Sequence, residues 1–319
     1  MIGGMTVMGR LATACVLVLA FLPACGRTAA LDTSVLEDDA ITVASFNFSE
    51  SVLLAELYAQ ALEAAGYRVE RELDLGTREL VAPALAKGLV ELVPEYSGSA
   101  LEFWAGVGSA SPDALATSAA LADSLERHGI VALEPSRAQD QNGFAVTAGT
   151  AAEFDLHALG DLETHAAELT FGGPPECPTR PLCLLGLEAT YGIRFAAFVP
   201  LDGGGPLTVA ALRAGNVDVA LLFTSDGAID ANGFVLLEDD RHLQPAESVT
   251  PVLRPEVLER FGDGVAEVLD AVSAELTTED LRAMNAAVTV GHTPAEVAQT
   301  WLTARGLDRL ESAAPLEGR

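Results

Sequence analysis

Lysine is almost missing from this chain: of the 18 basic residues, 17 are arginine and one, Lys87, is lysine. Positive charge of either kind is scarce, because 46 Asp and Glu set the formal net charge at -28. A field of that sign repels phosphate backbones and anionic headgroups within a Debye length of about 8–10 Å, which excludes nucleic acid as a partner class. Steering of cationic solutes is one use of such a field, and dispersed acidity equally serves solubility. The arginine bias, alongside many Ala and Gly, suggests a GC-rich genome and carries no function.

Long apolar runs are missing too. The stretch 11–24 is shorter than the about 20 residues a bilayer-spanning helix needs, and fits the roughly 7–15-residue core of a signal peptide. Arg10 precedes it, and Leu22-Pro23-Ala24-Cys25 closes it in an arrangement that resembles the lipobox at which bacterial lipoproteins are cleaved and acylated. On that reading 1–24 is a signal peptide, Cys25 carries the lipid and 25–40 is a tether. The protein is then expected outside the cytoplasm, anchored to the outer face of the cell membrane. A free core cysteine is the alternative for Cys25.

Cysteine is sparse, at four residues. Cys15 leaves with the leader and Cys25 takes lipid, so Cys177 and Cys183 remain as a close pair in an oxidising compartment, and a disulfide is predicted between them. Closing so short a loop stabilises by about 2–3 kcal/mol on the chain-entropy estimate. Zinc is the rival reading, but the five histidines at 128, 157, 165, 242 and 292 have no ligand spacing and no second cysteine pair exists. No metal or cofactor is expected. Catalytic signatures are also wanting: there is no G-x-S-x-G, H-E-x-x-H or G-x-x-x-x-G-K-[ST], and Gly106-Val107-Gly108 and Gly262-Asp263-Gly264 lack the third glycine of a dinucleotide fingerprint.

What is present, at 50% hydrophobic and 20% charged, is ample material for one large or two medium cores. Strand and helix patterns alternate, which argues for α/β layers with largely parallel strands. Strands are predicted at 41–45, 67–73 and 130–133, and helices at 49–65, 77–87 and 112–127. Four more helices are predicted near 255–261, 264–274, 278–288 and 293–305. A weak internal repeat aligns 84–93 with 211–220, each reading as helix, glycine stop, strand. The same offset sets Tyr96 against Phe223 and Ser99 against Asp226, placing a ring and a polar group just past a strand's C-terminal end, where α/β sheets bind ligands.

Five stretches carry a family resemblance: Ala44-Ser45-Phe46-Asn47-Phe48-Ser49-Glu50, Pro94-Glu95-Tyr96-Ser97-Gly98-Ser99, Leu201-Asp202-Gly203-Gly204-Gly205-Pro206-Leu207-Thr208, Thr224-Ser225-Asp226-Gly227 and Leu276-Thr277-Thr278-Glu279-Asp280-Leu281. In that order they resemble the substrate-binding proteins of osmoprotectant ABC transporters, which take glycine betaine, choline and related quaternary amines. The resemblance implies a two-lobed periplasmic-binding-protein clamshell of type II, with two mixed sheets flanked by helices, a hinge and an interlobe cleft. Lobe 1 is expected over 41–141 and 224–319, and lobe 2 over 142–223. It also implies a monomer that delivers its solute to permease and ATPase subunits and performs no chemistry on it.

A quaternary ammonium has no N–H to donate, so aromatic faces must hold it, each contributing about 0.5–2 kcal/mol, while a betaine carboxylate needs buried donors. Carried over from the resemblance, Tyr96 falls at a cage tyrosine and Ser99 at a hydroxyl that meets the carboxylate. Asn142 and Phe144 occupy positions of an acidic or amide residue and a further cage ring, and Phe223 stands in for a tyrosine. Arg180 matches a carboxylate-binding arginine, expected to face Tyr96, Ser99 and Phe223 across the cleft. Asn47, Thr224 and Asp226 complete the ligand-binding set, and Asp226 also reads as a helix cap. Two departures weaken the match to glycine betaine: Phe46 replaces a lysine that contacts the carboxylate, and Val209 replaces a cage tyrosine. A bulkier, more apolar amine such as ergothioneine stays open. A ligand-sensing lipoprotein that signals to a membrane receptor, and a tethered enzyme on the same fold, are the alternative functions.

Overall fold

The computed structural model describes residues 39–309. The expected signal peptide, Cys25 and the tether up to residue 38 lie outside the described residues, among which no helix is long and apolar enough to cross a membrane.

The first part of the chain runs β1 (Ala40–Phe46), α1 (Ser49–Ala64), β2 (Arg68–Gly76), α2 (Arg78–Ala86), β3 (Leu92–Tyr96), α3 (Ser97–Ala105), α4 (Ala114–Glu126) and β4 (Val131–Ala132). Next come β5 (Asn142–Thr147), α5 (Ala148–Phe154), β6 (Thr170–Gly173), α6 (Leu184–Tyr191), β7 (Ala197–Pro200), α7 (Pro206–Arg213), β8 (Val219–Phe223), α8 (Ala228–Asn232) and β9 (Phe234–Leu237). The last part is β10 (Val249–Leu253), α9 (Pro255–Phe261), α10 (Gly264–Glu275), α11 (Thr278–Thr289) and α12 (Pro294–Arg305). The helical periods predicted at the C-terminus therefore match α9 to α12 to within a residue or two.

Two five-stranded sheets form, ordered β2-β1-β3-β10-β4 and β7-β6-β8-β5-β9. In each, the central strand pairs parallel on one side and antiparallel on the other: β3 with β1 and β10, and β8 with β6 and β5. The outer pairs repeat the pattern, β1–β2 and β6–β7 parallel, β10–β4 and β5–β9 antiparallel. The weak repeat is thus a topological one. Its glycines close the helices alike: Gly88 (φ 69) and Gly215 (φ 70) are left-handed. Leu89 N–H then reaches Ala84 O and Asn216 N–H reaches Ala211 O, six-to-one bonds that end a helix and free the chain for a strand.

Three expectations are corrected. The strands are not largely parallel, because half the pairings in each sheet are antiparallel. Lobe 2 does not end at 223, because β9 returns to pair with β5 in the second sheet and the crossing back to the first sheet lies at 238–248, ahead of β10. Pro94 and Gly98 suggest a turn around Tyr96, but Pro94–Tyr96 end β3 and Ser97 opens α3 directly, and Gly98 serves a close approach: a Cβ there would clash with Ala246 O and Glu247.

The first sheet is filled on one face by α1 with α10 and α12, including Leu53, Leu57, Leu269 and Leu302, and on the other by Phe46, Leu101, Leu121 and Leu125. Each fully buried Leu of this kind contributes about 1.5–3 kcal/mol. The second sheet packs around Phe144, Phe171, Leu187 and Tyr191, and the predicted Cys177–Cys183 disulfide, with Cα atoms 5.3 Å apart, lies in that core.

Candidate functional site

A cavity of about 900 Å³ opens where both sheets present their strand ends. Phe46 ends β1, Tyr96 ends β3 and Phe223 ends β8, so three strands each deliver an aromatic ring at the C-terminal edge. Asn142 enters from the start of β5.

The rings of the first lobe form a row. Phe46 and Phe48 stack with centroids 6.0 Å apart at 5°, and Phe48 and Tyr96 at 6.0 Å and 30°. Phe48 is the most exposed of the three at 44%, while Phe46 and Tyr96 are 3% and 6% exposed. Arg78 lies over Phe46 with its guanidinium carbon 5.2 Å from the ring centroid. Across the cavity, Phe223 is 38% exposed and rests on the Gly203–Gly205 loop. Gly204 is left-handed at φ 73, and a Cβ there would stand 3.1 Å from Phe223 Cδ2, so only glycine permits this approach.

The polar lining is acidic. Glu50, Glu79, Asp140, Asp226 and Glu247 face the cavity against one base among the described residues, Arg78. Tyr96 Oη donates to Glu50 Oε1 at 2.7 Å, and Asn285 Nδ2 donates to Glu50 Oε2 at 2.5 Å and to Ser225 O at 2.9 Å. Ser225 Oγ donates to Asp140 Oδ1 at 2.7 Å, which closes a chain of bonds under the cavity floor. Burial, followed by the nearby Glu50 charge, pushes the Asp140 carboxyl well above its ordinary range. Burial likewise raises Glu247 against the bonds from Ser99, and raises Asp226 against the Ala228 N–H. The Tyr96 phenol is driven up by burial and by Glu50.

Of the sequence-derived site residues, Phe46, Asn47, Tyr96, Ser99, Asn142, Phe223 and Asp226 line this cavity. Asp226 also caps the following turn, its Oδ1 accepting from Ala228 N at 2.8 Å. Three do not line it. Phe144 sits two residues deeper along β5, about 7 Å from Asn142. It is 1% exposed and packs on Phe171 at 6.1 Å as core. Arg180 is absent from the lining, its side chain 65% exposed and paired with Glu176, and the disulfide loop reaches the cavity through Leu182. Thr224 braces the crossing segments, its Oγ1 accepting from Gln141 N at 2.9 Å and donating to Gln139 O at 3.2 Å. Val209 belongs to the second-lobe core. Residues not singled out from sequence are Phe48, Glu50, Arg78, Asp140, Glu247 and Asn285; the first two fall inside a resemblance stretch, and the others have no local signal. Among the described residues, no group of three His, Cys, Asp or Glu is arranged to hold a metal ion.

Comparison with known proteins agrees with this architecture. A family model described as the substrate binding domain of ABC-type glycine betaine transport systems matches residues 39–304. The glycine betaine-binding protein YehZ of Escherichia coli is 27% identical over 269 residues, covering 81% of this chain and 88% of that protein. A glycine-betaine-binding protein of Pseudomonas aeruginosa is 28% identical over 276 residues, covering 83% and 87%. Among solved structures, apo YehZ aligns with a TM-score of 0.75 at 26% identity over 85% of this chain and 100% of that one. A glycine betaine/carnitine/choline ABC transporter structure aligns at 0.78 and 22% identity over 84% and 99%, which shows the shared fold. With a match spanning nearly all described residues, the chain belongs to the family of substrate binding domains of ABC-type glycine betaine transport systems.

Proposed function

We propose that the protein is the extracytoplasmic solute-binding component of an ABC importer, a monomer held to the outer face of the membrane by lipid on Cys25, that captures a quaternary amine between its lobes and passes it to permease and ATPase subunits. The observation that carries this reading is the row Phe46, Phe48, Tyr96, facing Phe223 over a cavity lined by carboxylates. Ring faces and anions together suit a cation that cannot donate a hydrogen bond. Nothing in the arrangement calls for a reaction: the role is capture, with ligand bridging the lobes and favouring their closed arrangement.

A thermal-shift panel of choline, glycine betaine, carnitine, ergothioneine and amino acids tests it. Ligand at about 100 times its Kd adds about 2.7 kcal/mol to the stability of the protein. A rise in melting temperature with at least one quaternary amine is expected, and none with any of them removes the ligand class.

A further inference from the structure

A zwitterion such as a betaine needs two seats, one for its ammonium and one for its carboxylate. The second seat is occupied by the protein itself at each of three donor sets around the cavity. Ser99 donates its hydroxyl to Glu247 Oε1 at 2.6 Å and its backbone N–H to Glu247 Oε2 at 2.9 Å. Arg78, the base in the lining, is committed to Glu95 through Nη2 at 2.8 Å and Nε at 3.1 Å. The first turn of α7 gives its N–H groups to Asp202, Leu207 N at 3.0 Å and Thr208 N at 2.8 Å, and that carboxylate lies against Gly205 at the cavity rim.

We propose that the cavity selects a net-cationic ammonium without a carboxylate, because these three donor sets already hold the carboxylates of Glu247, Glu95 and Asp202. The inference rests on the amine-binding reading above and sharpens it. A ligand carboxylate entering here would meet the carboxylates of Glu50 and Glu247, with the lining guanidinium already paired, and like charges repel. A ligand ending in a hydroxyl meets no such opposition, and its O–H can donate to any of these carboxylates. Phe46 adds a ring and no charge to this lining.

Choline and glycine betaine share the trimethylammonium and differ in a hydroxymethyl against a carboxylate, so their ratio of Kd values by isothermal titration calorimetry reads the preference directly. At neutral pH choline is expected to bind at least about tenfold tighter. Equal or tighter binding of glycine betaine overturns the inference while leaving the amine-binding reading standing; absence of heat from both at millimolar ligand removes the two together. In Glu247→Gln, where the Ser99 donors face a neutral amide, the choline-to-betaine preference is expected to fall at least about fivefold, and an unchanged ratio in a folded variant takes Glu247 out of the selection. The wild-type ratio decides the main claim even if that variant does not fold.

Discussion

Ser99 and Glu247, 148 residues apart in sequence, are joined by two hydrogen bonds to one carboxylate, 2.6 Å from the hydroxyl and 2.9 Å from the backbone N–H. The pair ties the first turn of α3 to the segment that returns from the second lobe to β10. A hydrogen bond to a charged group is worth about 1.5–3 kcal/mol, so Ser99→Ala is expected to lower the apo melting temperature by several degrees at neutral pH. Ser99→Thr, which keeps the hydroxyl, is expected to lose much less. Differential scanning calorimetry of the three proteins checks this, and an Ala variant that melts with the wild type removes the bond from the stability of the site.

Three carboxyls that line the cavity, on Asp140, Asp226 and Glu247, titrate above their ordinary range because they are buried. A raised carboxyl binds its proton more tightly folded than unfolded, so its stabilising contribution is complete below the unfolded value and is lost as pH climbs through the folded one. Asp140, between Glu50 and Glu247, is the group most opposed to ionisation by its neighbours. Asp140→Asn should therefore gain melting temperature relative to wild type as pH goes from about 5 to about 8. The same variant should bind an ammonium more weakly at the upper pH, having lost a negative charge from the cavity. A wild-type minus variant difference that is flat in pH would show that Asp140 ionises normally.

Arg78 and Glu95 form a pair on the wall behind Phe46, with side-chain exposures of 21% and 4%. Removing one partner of a mostly buried pair leaves the other charge unpaired, at a cost of about 3–5 kcal/mol, whereas replacing both with apolar groups of similar volume is near neutral. Arg78→Met is accordingly expected to destabilise strongly, and the double variant Arg78→Met/Glu95→Met to recover most of the loss. Chemical denaturation at neutral pH measures both, and a double variant as unstable as the single one would place the cost in lost packing on Phe46 rather than in the stranded Glu95 charge.

The fold was legible in sequence to the extent that it rests on local periodicity. The spacing of Leu53, Leu57 and Leu62 gives α1, and Gly88 and Gly215 mark where two helices must stop. The antiparallel pairings were not legible, since whether β10 runs with or against β3 depends on where the chain crosses between lobes, not on any residue within either strand. Phe144 and Phe223 show the same limit at the site. Both are phenylalanines in apolar strands, one in the middle of β5 and one at the end of β8, and only the end position opens on the cavity. The partners of Ser99 and Arg180 were not legible either: Glu247 reaches the first from across the fold, and Glu176, four residues before Arg180, pairs with the second at the surface.

Phe223 is held in place by what is missing beneath it. Gly204 is left-handed, and an added methyl would press on the Phe223 ring at 3.1 Å. Gly204→Ala thus combines backbone strain of about 1–2 kcal/mol with displacement of the ring. Gly215 offers a comparison, since it is left-handed at φ 70 with open space where a methyl would stand, and it lies outside the cavity lining. The two alanine variants should lose similar stability, while only Gly204→Ala should weaken amine binding, by about tenfold if the ring contributes near 1.4 kcal/mol. Parallel melting curves and calorimetric titrations of the two variants make the comparison. Equal affinity in both would mean that the second lobe grips its ligand without Phe223, leaving the row on the first lobe to hold the ammonium alone.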